Sequence, residues 1–378
     1  MILILQVLGW LALALSVVGI AYTVAAAAVI RRLGHGEAAR AATPATLLKP
    51  LHGEEPELKA NLESFLAQDF GAPIQMVLGV QDPSDPALAV ARRLKVDHPD
   101  ADIEIVVDGP AHGANRKVSN LVNIAEKARH ELLVVSDADM RVPPDYLARV
   151  AAAAAEPGVG AVTCYYFGQG RAGYWSRLAA MGLSYGFLPN VAVGVALGLA
   201  RPCMGSTIAL RRPTLDAIGG FGAFANALAD DYEIGHAVRA RGLKVALPPL
   251  ALAHGCAERS LGEVFAHELR WAVTVRCMDP AGHAGSVVTH PLALAVIGTA
   301  LLGVPAYALS ILCAAAAARL WLIRAVDRAT GATSGPWQGL LLRDILSLGV
   351  FVCSLFARRV DWRGSNYRVS SNGRLFPA

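Results

Sequence analysis

Apolar and polar residues follow two different patterns along the chain. Residues 2–30 contain no charged side chain, and Arg31 and Arg32 come directly after them. A run of that length spans a bilayer as a helix, exceeds the apolar core of a cleaved leader and has no basic stretch before it. It predicts a retained anchor, with Arg31, Arg32 and Arg40 holding the downstream residues in the cytoplasm. Residues 34–44 read as a linker. From there the period changes, and short apolar runs at 45–48, 75–80, 103–107 and 132–135 alternate with helical patterns at 56–68, 86–96 and 117–129. This order predicts an α/β domain with a mostly parallel sheet covered by helices. Further strands are expected at 159–165, 204–210 and 243–247, and a helix from 229 to about 241.

Four later stretches are apolar or amphipathic without being plain crossings. Residues 175–200 are interrupted by Pro189 and several glycines and read as a buried or interface-lying segment. Residues 260–276 are amphipathic. Residues 291–323 are too long for one comfortable span; Gly303-Val304-Pro305 can turn the chain, giving a hairpin of roughly 287–304 and 306–323 with Arg319 as its one charge. Residues 345–356, behind Arg343-Asp344, suit a re-entrant or interfacial helix. Arg358, Arg359, Arg363, Arg368 and Arg374 favour a cytoplasmic tail. The expected division is an anchor at 1–31, a cytoplasmic domain at 32–285, a membrane region at 286–357 and a tail at 358–378, with three spans in all.

Composition agrees with this division. Of 378 residues 54% are hydrophobic and only 17% charged, and the apolar excess lies towards the ends. A net charge of +4 without a basic block excludes nucleic acid as the expected partner. The six cysteines are scattered with no C-x-x-C pair, as small apolar residues in a reducing compartment would be.

In a parallel sheet, ligands collect where strands end. Three predicted strand ends carry polar residues: Lys49-Pro50-Leu51-His52-Gly53-Glu54-Glu55, Gln81-Asp82 and Ser136-Asp137-Ala138-Asp139. In the last, residues i and i+2 of an extended segment project to one side, forming an anionic cup suited to a hard divalent cation and, through it, a diphosphate. Aspartate is also common in simple turns; the clustering of three such ends is what favours a site. His112-Gly113-Ala114-Asn115-Arg116-Lys117 opens a helix and offers either phosphate donors or a solvated cap. Asp231, in Ala229-Asp230-Asp231-Tyr232-Glu233, is a candidate general base at a loop–helix junction, although acidic residues also stabilise a first helical turn by themselves. Arg270 supplies a planar fork for phosphate and Trp271 a flat wall, on a helix that would equally suit a membrane surface. His254 is expected in a loop without a metal role.

In order, Asp82, Asp137-Ala-Asp139, Asp231 and Arg270-Trp271 resemble the D, DxD, D, (Q/R)xxRW series of membrane-bound family 2-like glycosyltransferases. The strings around Lys49-Pro50, Val-Gln-Asp82, Asn115-Arg-Lys117 and Trp362-Arg-Gly are similar to ceramide glucosyltransferases of family 21. His267-Glu-Leu-Arg-Trp-Ala is shared with bacterial hopanoid-biosynthesis glycosyltransferases. The resemblance implies a GT-A fold and inverting transfer from a UDP-sugar. Lys49 and Asp82 would bind the donor, Asp137 and Asp139 would hold Mg²⁺ or Mn²⁺ and the diphosphate, Asp231 would be the base, and Arg270 and Trp271 would take donor phosphate and shape the acceptor mouth. It further implies a multi-pass protein of the bacterial inner membrane, a lipid acceptor and other lipid-biosynthesis enzymes as partners. The hopanoid branch implies N-acetylglucosamine transfer to bacteriohopanetetrol; ceramide glucosylation is the second reading, and a non-catalytic lipid-binding scaffold a third. His267 stands where the series has Gln or Arg, and the second aspartate of the central motif departs from the ceramide enzymes.

Overall fold

The computed structural model describes residues 1–33, 39–107, 109–227, 229–357, 359–362, 365–369 and 375–377. Part of the expected linker (34–38) and Arg358, Arg363 and Arg374 of the tail lie outside the described residues. The chain begins with α1 (Ile2–Ile30), then alternates through β1 (Ala45–Leu51), α2 (Leu58–Leu66), β2 (Ile74–Val80), α3 (Ala87–Asp97), β3 (Asp102–Val107), α4 (Arg116–Ala125) and β4 (Leu132–Val135). Beyond these are β5 (Met140–Arg141), α5 (Tyr146–Ala155), β6 (Val159–Val162), β7 (Tyr165–Gly170), α6 (Tyr174–Gly182) and α7 (Leu188–Ala196), the last two joined by a π-helical turn. Next come β8 (Ile208–Arg211), α8 (Arg212–Ala217), α9 (Asp230–Ala240), β9 (Lys244–Ala246) and β10 (Ala251–Cys256). The C-terminal part holds α10 (Leu261–Met278), α11 (Pro280–Gly285), α12 (Pro291–Leu301), α13 (Ala306–Thr330) and α14 (Leu340–Phe356), then three short strands between Arg359 and Pro377.

The chain forms two units, one of residues 35–167 and 201–257, the other of 1–34, 168–200 and 258–378. The first is built on a seven-stranded sheet in the order β3-β2-β1-β4-β8-β6-β9. β3, β2, β1 and β4 are parallel, β8 runs against both its neighbours, and β9 is parallel to β6. Leu132, Leu133, Val134 and Val135 are all buried, which is why β4 is an unbroken apolar run with no alternation. Each such side chain contributes about 1.5–3 kcal/mol when removed from water. β1 continues three residues past the expected end at Leu48, because Lys49 is hydrogen-bonded inside the unit. A second small sheet has the order β5-β10-β7. The strand expected at 159–165 is two strands, β6 and β7.

The second unit is built from apolar helices. Among the described residues four are long and apolar enough to cross a membrane: Ile2–Ile30, Tyr174–Ala196, Ala306–Thr330 and Trp337–Phe356. A fifth candidate is the pair Pro280–Thr289 and Pro291–Leu301, bent by 64°. Glycines let α1 pack closely: an added Cβ at Gly9 would meet Leu302, and one at Gly298 would meet Leu13. Ser16 Oγ donates to the Pro291 carbonyl at 2.9 Å, and the Trp10 and Tyr307 rings stack 5.1 Å apart.

Two expectations for the membrane region change. The expected short helix at 345–356 starts earlier: with its leading 3₁₀ turn it runs 20 residues, long enough to cross. Arg343 and Asp344 are inside it, not before it, and both are buried through pairing. Arg319 on α13 grips Asp344 with two bonds of 2.8 and 2.7 Å, and Arg343 grips Glu268 of α10 with two of 2.5 Å. The expected first arm of the hairpin is also bent, at His290 before Pro291, and is not one straight helix.

Tyr174–Ala196, expected from the sequence as a buried or interface-lying segment, is long and apolar enough to cross. It leaves after β6 and returns before β8, and β6 and β8 are hydrogen-bonded neighbours in one sheet.

Candidate active site

The acidic cup sits where β4 ends. Asp137 and Asp139 lie in the turn between β4 and β5, below which Lys49 projects from β1. Lys49 is fully buried; its Nζ donates to Ser136 Oγ at 3.2 Å and to the Asp137 carbonyl at 2.9 Å, and it rests 3.4 Å from the centre of the Phe65 ring. Burial pulls its ammonium down to about 7, against the opposing charges of Asp137 and Asp139. Its donors are thus spent on the backbone and hydroxyl that shape the cup.

Lys117 gathers the carboxylates. Its Nζ is 2.7 Å from Asp137 Oδ1 and 3.7 Å from Asp230 Oδ2, and its charge also acts on Asp231. It stands in the first turn of α4, where the Asn115 side chain caps the helix by accepting from the Val118 N–H at 3.1 Å. The Asn115 amide in turn donates to Asp230 Oδ1 at 3.2 Å and to the Ala227 carbonyl at 2.9 Å. Backbone donors of this loop, read from the sequence as either phosphate donors or a solvated cap, are occupied: the Ala114 N–H donates to Asn226 Oδ1 and the Asn115 N–H to the Ala225 carbonyl. Lys117 likewise faces carboxylates, not solvent.

Asp231 lies in the first turn of α9 and accepts from the Gly205 N–H at 3.0 Å and the Tyr232 N–H at 2.8 Å. Gly205 also accepts, through its carbonyl, from the Asp137 N–H at 3.3 Å. One residue thus ties the cup to the candidate base. An added Cβ there would stand 2.8 Å from Asp137 Oδ2 and 3.0 Å from Lys117 Nζ, so either side chain would have to shift to admit it. Burial first, and then the neighbouring Asp230, push the Asp231 carboxyl up to about 6, with Lys117 pulling the other way. A carboxylate that titrates there is ionised at neutral pH yet basic enough to share a proton with a hydroxyl.

Asp139 faces His254, whose Nε2 is 3.2 Å from Oδ2. This corrects the expectation for His254: it lies in β10, not in a loop, and its ring is largely buried beside Tyr166 at 5.7 Å. Burial would raise the Asp139 carboxyl, but the charge and hydrogen bond of His254 outweigh it and hold it below its ordinary value. Tyr166 lies within the field of Asp137, Asp139 and Asp231 together, and its hydroxyl is pushed well up by burial first and then by those three charges. Asp139 Oδ1 is buried without a hydrogen-bond partner, and so is Asp230 Oδ2. An orphaned buried carboxylate oxygen in an oxygen-donor cup fits a hard cation. Among the described residues no three His, Cys, Asp or Glu side chains gather as ligands. Two carboxylates, Asp137 and Asp139, would leave the other positions of a hard cation to substrate oxygens, as suits Mg²⁺.

Asp82 is exposed in the turn after β2, and its Oδ1 accepts from the Ser84 hydroxyl at 2.7 Å and N–H at 2.8 Å. Those bonds, the hydroxyl's first, hold its carboxyl below the ordinary range. The structure brings Lys49, Asp137, Asp139 and Asp231 together in the first unit. Arg270 and Trp271 belong to the second, on α10. There the Trp271 ring is 4.7 Å from His267 and 6.1 Å from Phe187, and His267 Nδ1 is 2.6 Å from Glu258. Sequence reasoning missed Gly205, Asp230, Tyr166 and the part played by His254. Asp230 alone had a visible signal, as the residue beside Asp231.

The sequence pattern of glycosyl transferase family 21 matches residues 11–375. The chain is 24% identical over 346 residues to ceramide glucosyltransferase 1 of Caenorhabditis elegans, covering 87% of this chain and 72% of the relative. Ceramide glucosyltransferase 3 of the same organism is 22% identical, over 88% of this chain and 74% of the relative. In structure the chain is similar to the mannosyltransferase PcManGT from Pyrobaculum calidifontis, solved with GDP-Man and Mn²⁺. That similarity has a TM-score of 0.52 at 21% identity, over 92% of this chain and 99% of the other. The likeness carries the GT-A fold, and the apolar helices mark a membrane protein. With the family pattern matched along nearly its whole length, this chain belongs to glycosyl transferase family 21 and is a glycosyltransferase.

Proposed function

We propose that the protein transfers a hexosyl group from a UDP-sugar to a hydroxyl of a membrane lipid, with inversion and with Asp231 as the base. The observation that carries this reading is the buried cluster in which Gly205 links Asp231 to Asp137 and Lys117 compensates both. Asp231 takes the proton of the attacking acceptor hydroxyl, and its raised pKa matches that task. Asp137 and Asp139 would hold Mg²⁺ or Mn²⁺. When bound, the cation neutralises negative charge that grows on the leaving diphosphate. Lys117 keeps Asp137 in place and limits the rise of the Asp231 pKa. Lys49 fixes the cup from below. Asp82 lies at the exposed end of β2, open to the nucleoside end of a donor, and Arg270 and Trp271 keep the roles the family series gives them, donor phosphate and acceptor mouth.

For the acceptor, the His267-Glu-Leu-Arg-Trp-Ala string supports a hopanoid polyol receiving N-acetylglucosamine at a bacterial inner membrane, with the catalytic unit in the cytoplasm. The names of the curated relatives favour a second reading, glucosylation of ceramide. Membranes containing the protein, given UDP-GlcNAc or UDP-glucose with bacteriohopanetetrol or ceramide, separate the two by product mass. The hopanoid reading expects a gain of one N-acetylhexosamine on bacteriohopanetetrol; a hexose on ceramide alone overturns it in favour of the second. No lipid product from any pair, with the protein folded, overturns both.

A further inference from the structure

Within the helical unit a cavity of about 490 Å³ is lined by Gln169, Gly170, Arg171, Arg177 and residues 332–336. None of the lining residues is acidic. Arg171 hydrogen-bonds the Gln169 side chain, and Arg177, exposed on the first turn of α6, enters no ion pair among the described residues. Thr333 and the buried Ser334 add hydroxyls to the lining; Ser334 Oγ is 2.5 Å from Ser184 Oγ. The walls are held close by glycines. An added Cβ at Gly170 would stand 2.6 Å from Arg177 Cγ, and one at Gly335 2.6 Å from Met181 Cγ.

The cavity lies at a membrane boundary by construction. Residues 331–336 join the end of α13 to the start of the helix Trp337–Phe356, and both of those helices are long and apolar enough to cross. Exposed aromatic side chains neighbour its lining along the chain, as they do at lipid headgroups: Trp337, which follows Pro336, is 63% exposed and Tyr174, in the first turn of α6 with Arg177, 46%. The last turns of α13 add Arg324 and Arg328, whereas residues 302–305 at its other end carry no charge. That asymmetry puts the cavity at the cytoplasmic face.

We propose that this cavity binds a phosphate ester, and that the ester is the headgroup phosphodiester of an anionic membrane phospholipid. Arg171 and Arg177 supply paired donors in the fork geometry that suits phosphate oxygens, and Thr333 supplies a hydroxyl. The alternative source of the same chemistry is free phosphate in the cytoplasm. A cavity between the ends of two apolar helices, with exposed Trp337 and Tyr174 next to its lining in the chain, favours the lipid. This site is separate from the carboxylate cluster, so its failure would leave the proposed reaction untouched.

The test is native mass spectrometry of the full-length protein in mild detergent, titrated with phosphatidylglycerol, with diacylglycerol or with inorganic phosphate. Wild-type protein is expected to retain phosphatidylglycerol and not diacylglycerol, and millimolar inorganic phosphate should not displace the lipid. The double substitution Arg171→Gln/Arg177→Gln should weaken retention at least about tenfold, since it removes both charged hydrogen-bond donors. Lysine at both positions should restore much of it, and Arg92→Gln on α3 should change nothing. Equal retention by wild type and the double glutamine variant overturns the proposal, as does an equal loss from Arg92→Gln. Displacement by inorganic phosphate overturns the lipid assignment.

Discussion

Replacing Lys117 with methionine should move the acid limb of the pH–rate profile without removing any residue proposed to touch substrate. Asp231 titrates at about 6 with Lys117 in place, so about nine-tenths of it is ionised at pH 7. An opposite charge close by lowers a carboxyl pKa by about 1–3 units, and its loss returns that amount. The variant's base would then titrate at about 7–9. Its ionised fraction at pH 7 would fall to between about one-half and one-hundredth, with kcat changing in proportion. The same substitution leaves Asp137 and Asp230 without their shared cation, at a cost of about 3–5 kcal/mol in stability. The assay is turnover of UDP-sugar and lipid acceptor between pH 5 and 9.5, with thermal unfolding of the same preparation in detergent. Wild type should lose activity as pH falls through about 6. The variant should lose it at higher pH and regain it in alkaline buffer, which a merely misfolded protein would not do. A variant whose limb stays near 6 would refute the coupling of Lys117 to the base.

The same geometry sets three further outcomes. Alanine at both Asp137 and Asp139 should abolish the Mn²⁺-dependent part of UDP binding by calorimetry; unchanged binding would remove the cup from the mechanism. Gly205→Ala forces Asp137 or Lys117 to shift, because its Cβ would approach within 2.8 and 3.0 Å of them. At about 1–3 kcal/mol for such overpacking, kcat/KM should fall about tenfold or more, and wild-type kinetics would show that the close approach is unimportant. Glu268→Gln should leave Arg343, 1% exposed, without its carboxylate and lower stability by roughly 3–5 kcal/mol in detergent. Exchanging the two charges should recover part of that loss; no recovery would mean the pair's orientation, not its charge, is what holds α10 to α14.

Much of the sheet is legible in the sequence because burial on both faces leaves a plain signature. Leu132–Val135 forms the expected strand residue for residue, and β1, β2 and β3 fall where apolar runs predict them. Errors arise where a charged residue is buried by a partner distant in sequence. Lys49 reads as the end of a strand but is satisfied by Ser136 and the Asp137 carbonyl. Arg343 and Asp344 read as a helix boundary, yet Glu268 and Arg319 carry them inside α14. The site shows the same division. Asp137 and Asp139 are visible from their i, i+2 spacing at a strand end. The pairing of Lys117 with Asp137, of Asp139 with His254, and the glycine contact at 205 depend on how β4, α4, β10 and the loop before β8 meet in space. No local pattern encodes those meetings.

The central claim is that Asp231 performs proton transfer in a UDP-sugar-dependent lipid transferase and does little to hold the donor. Asp231→Asn keeps the side chain's size and can still accept through its carbonyl oxygen, while removing the base. Calorimetric titration of the full-length variant with the UDP-sugar in Mn²⁺, paired with lipid product measured by mass in the same preparation, tests this directly. Donor affinity within about threefold of wild type, with turnover down by about 10²–10⁴, is the predicted result. Turnover near wild type, or loss of donor binding with turnover, would contradict it.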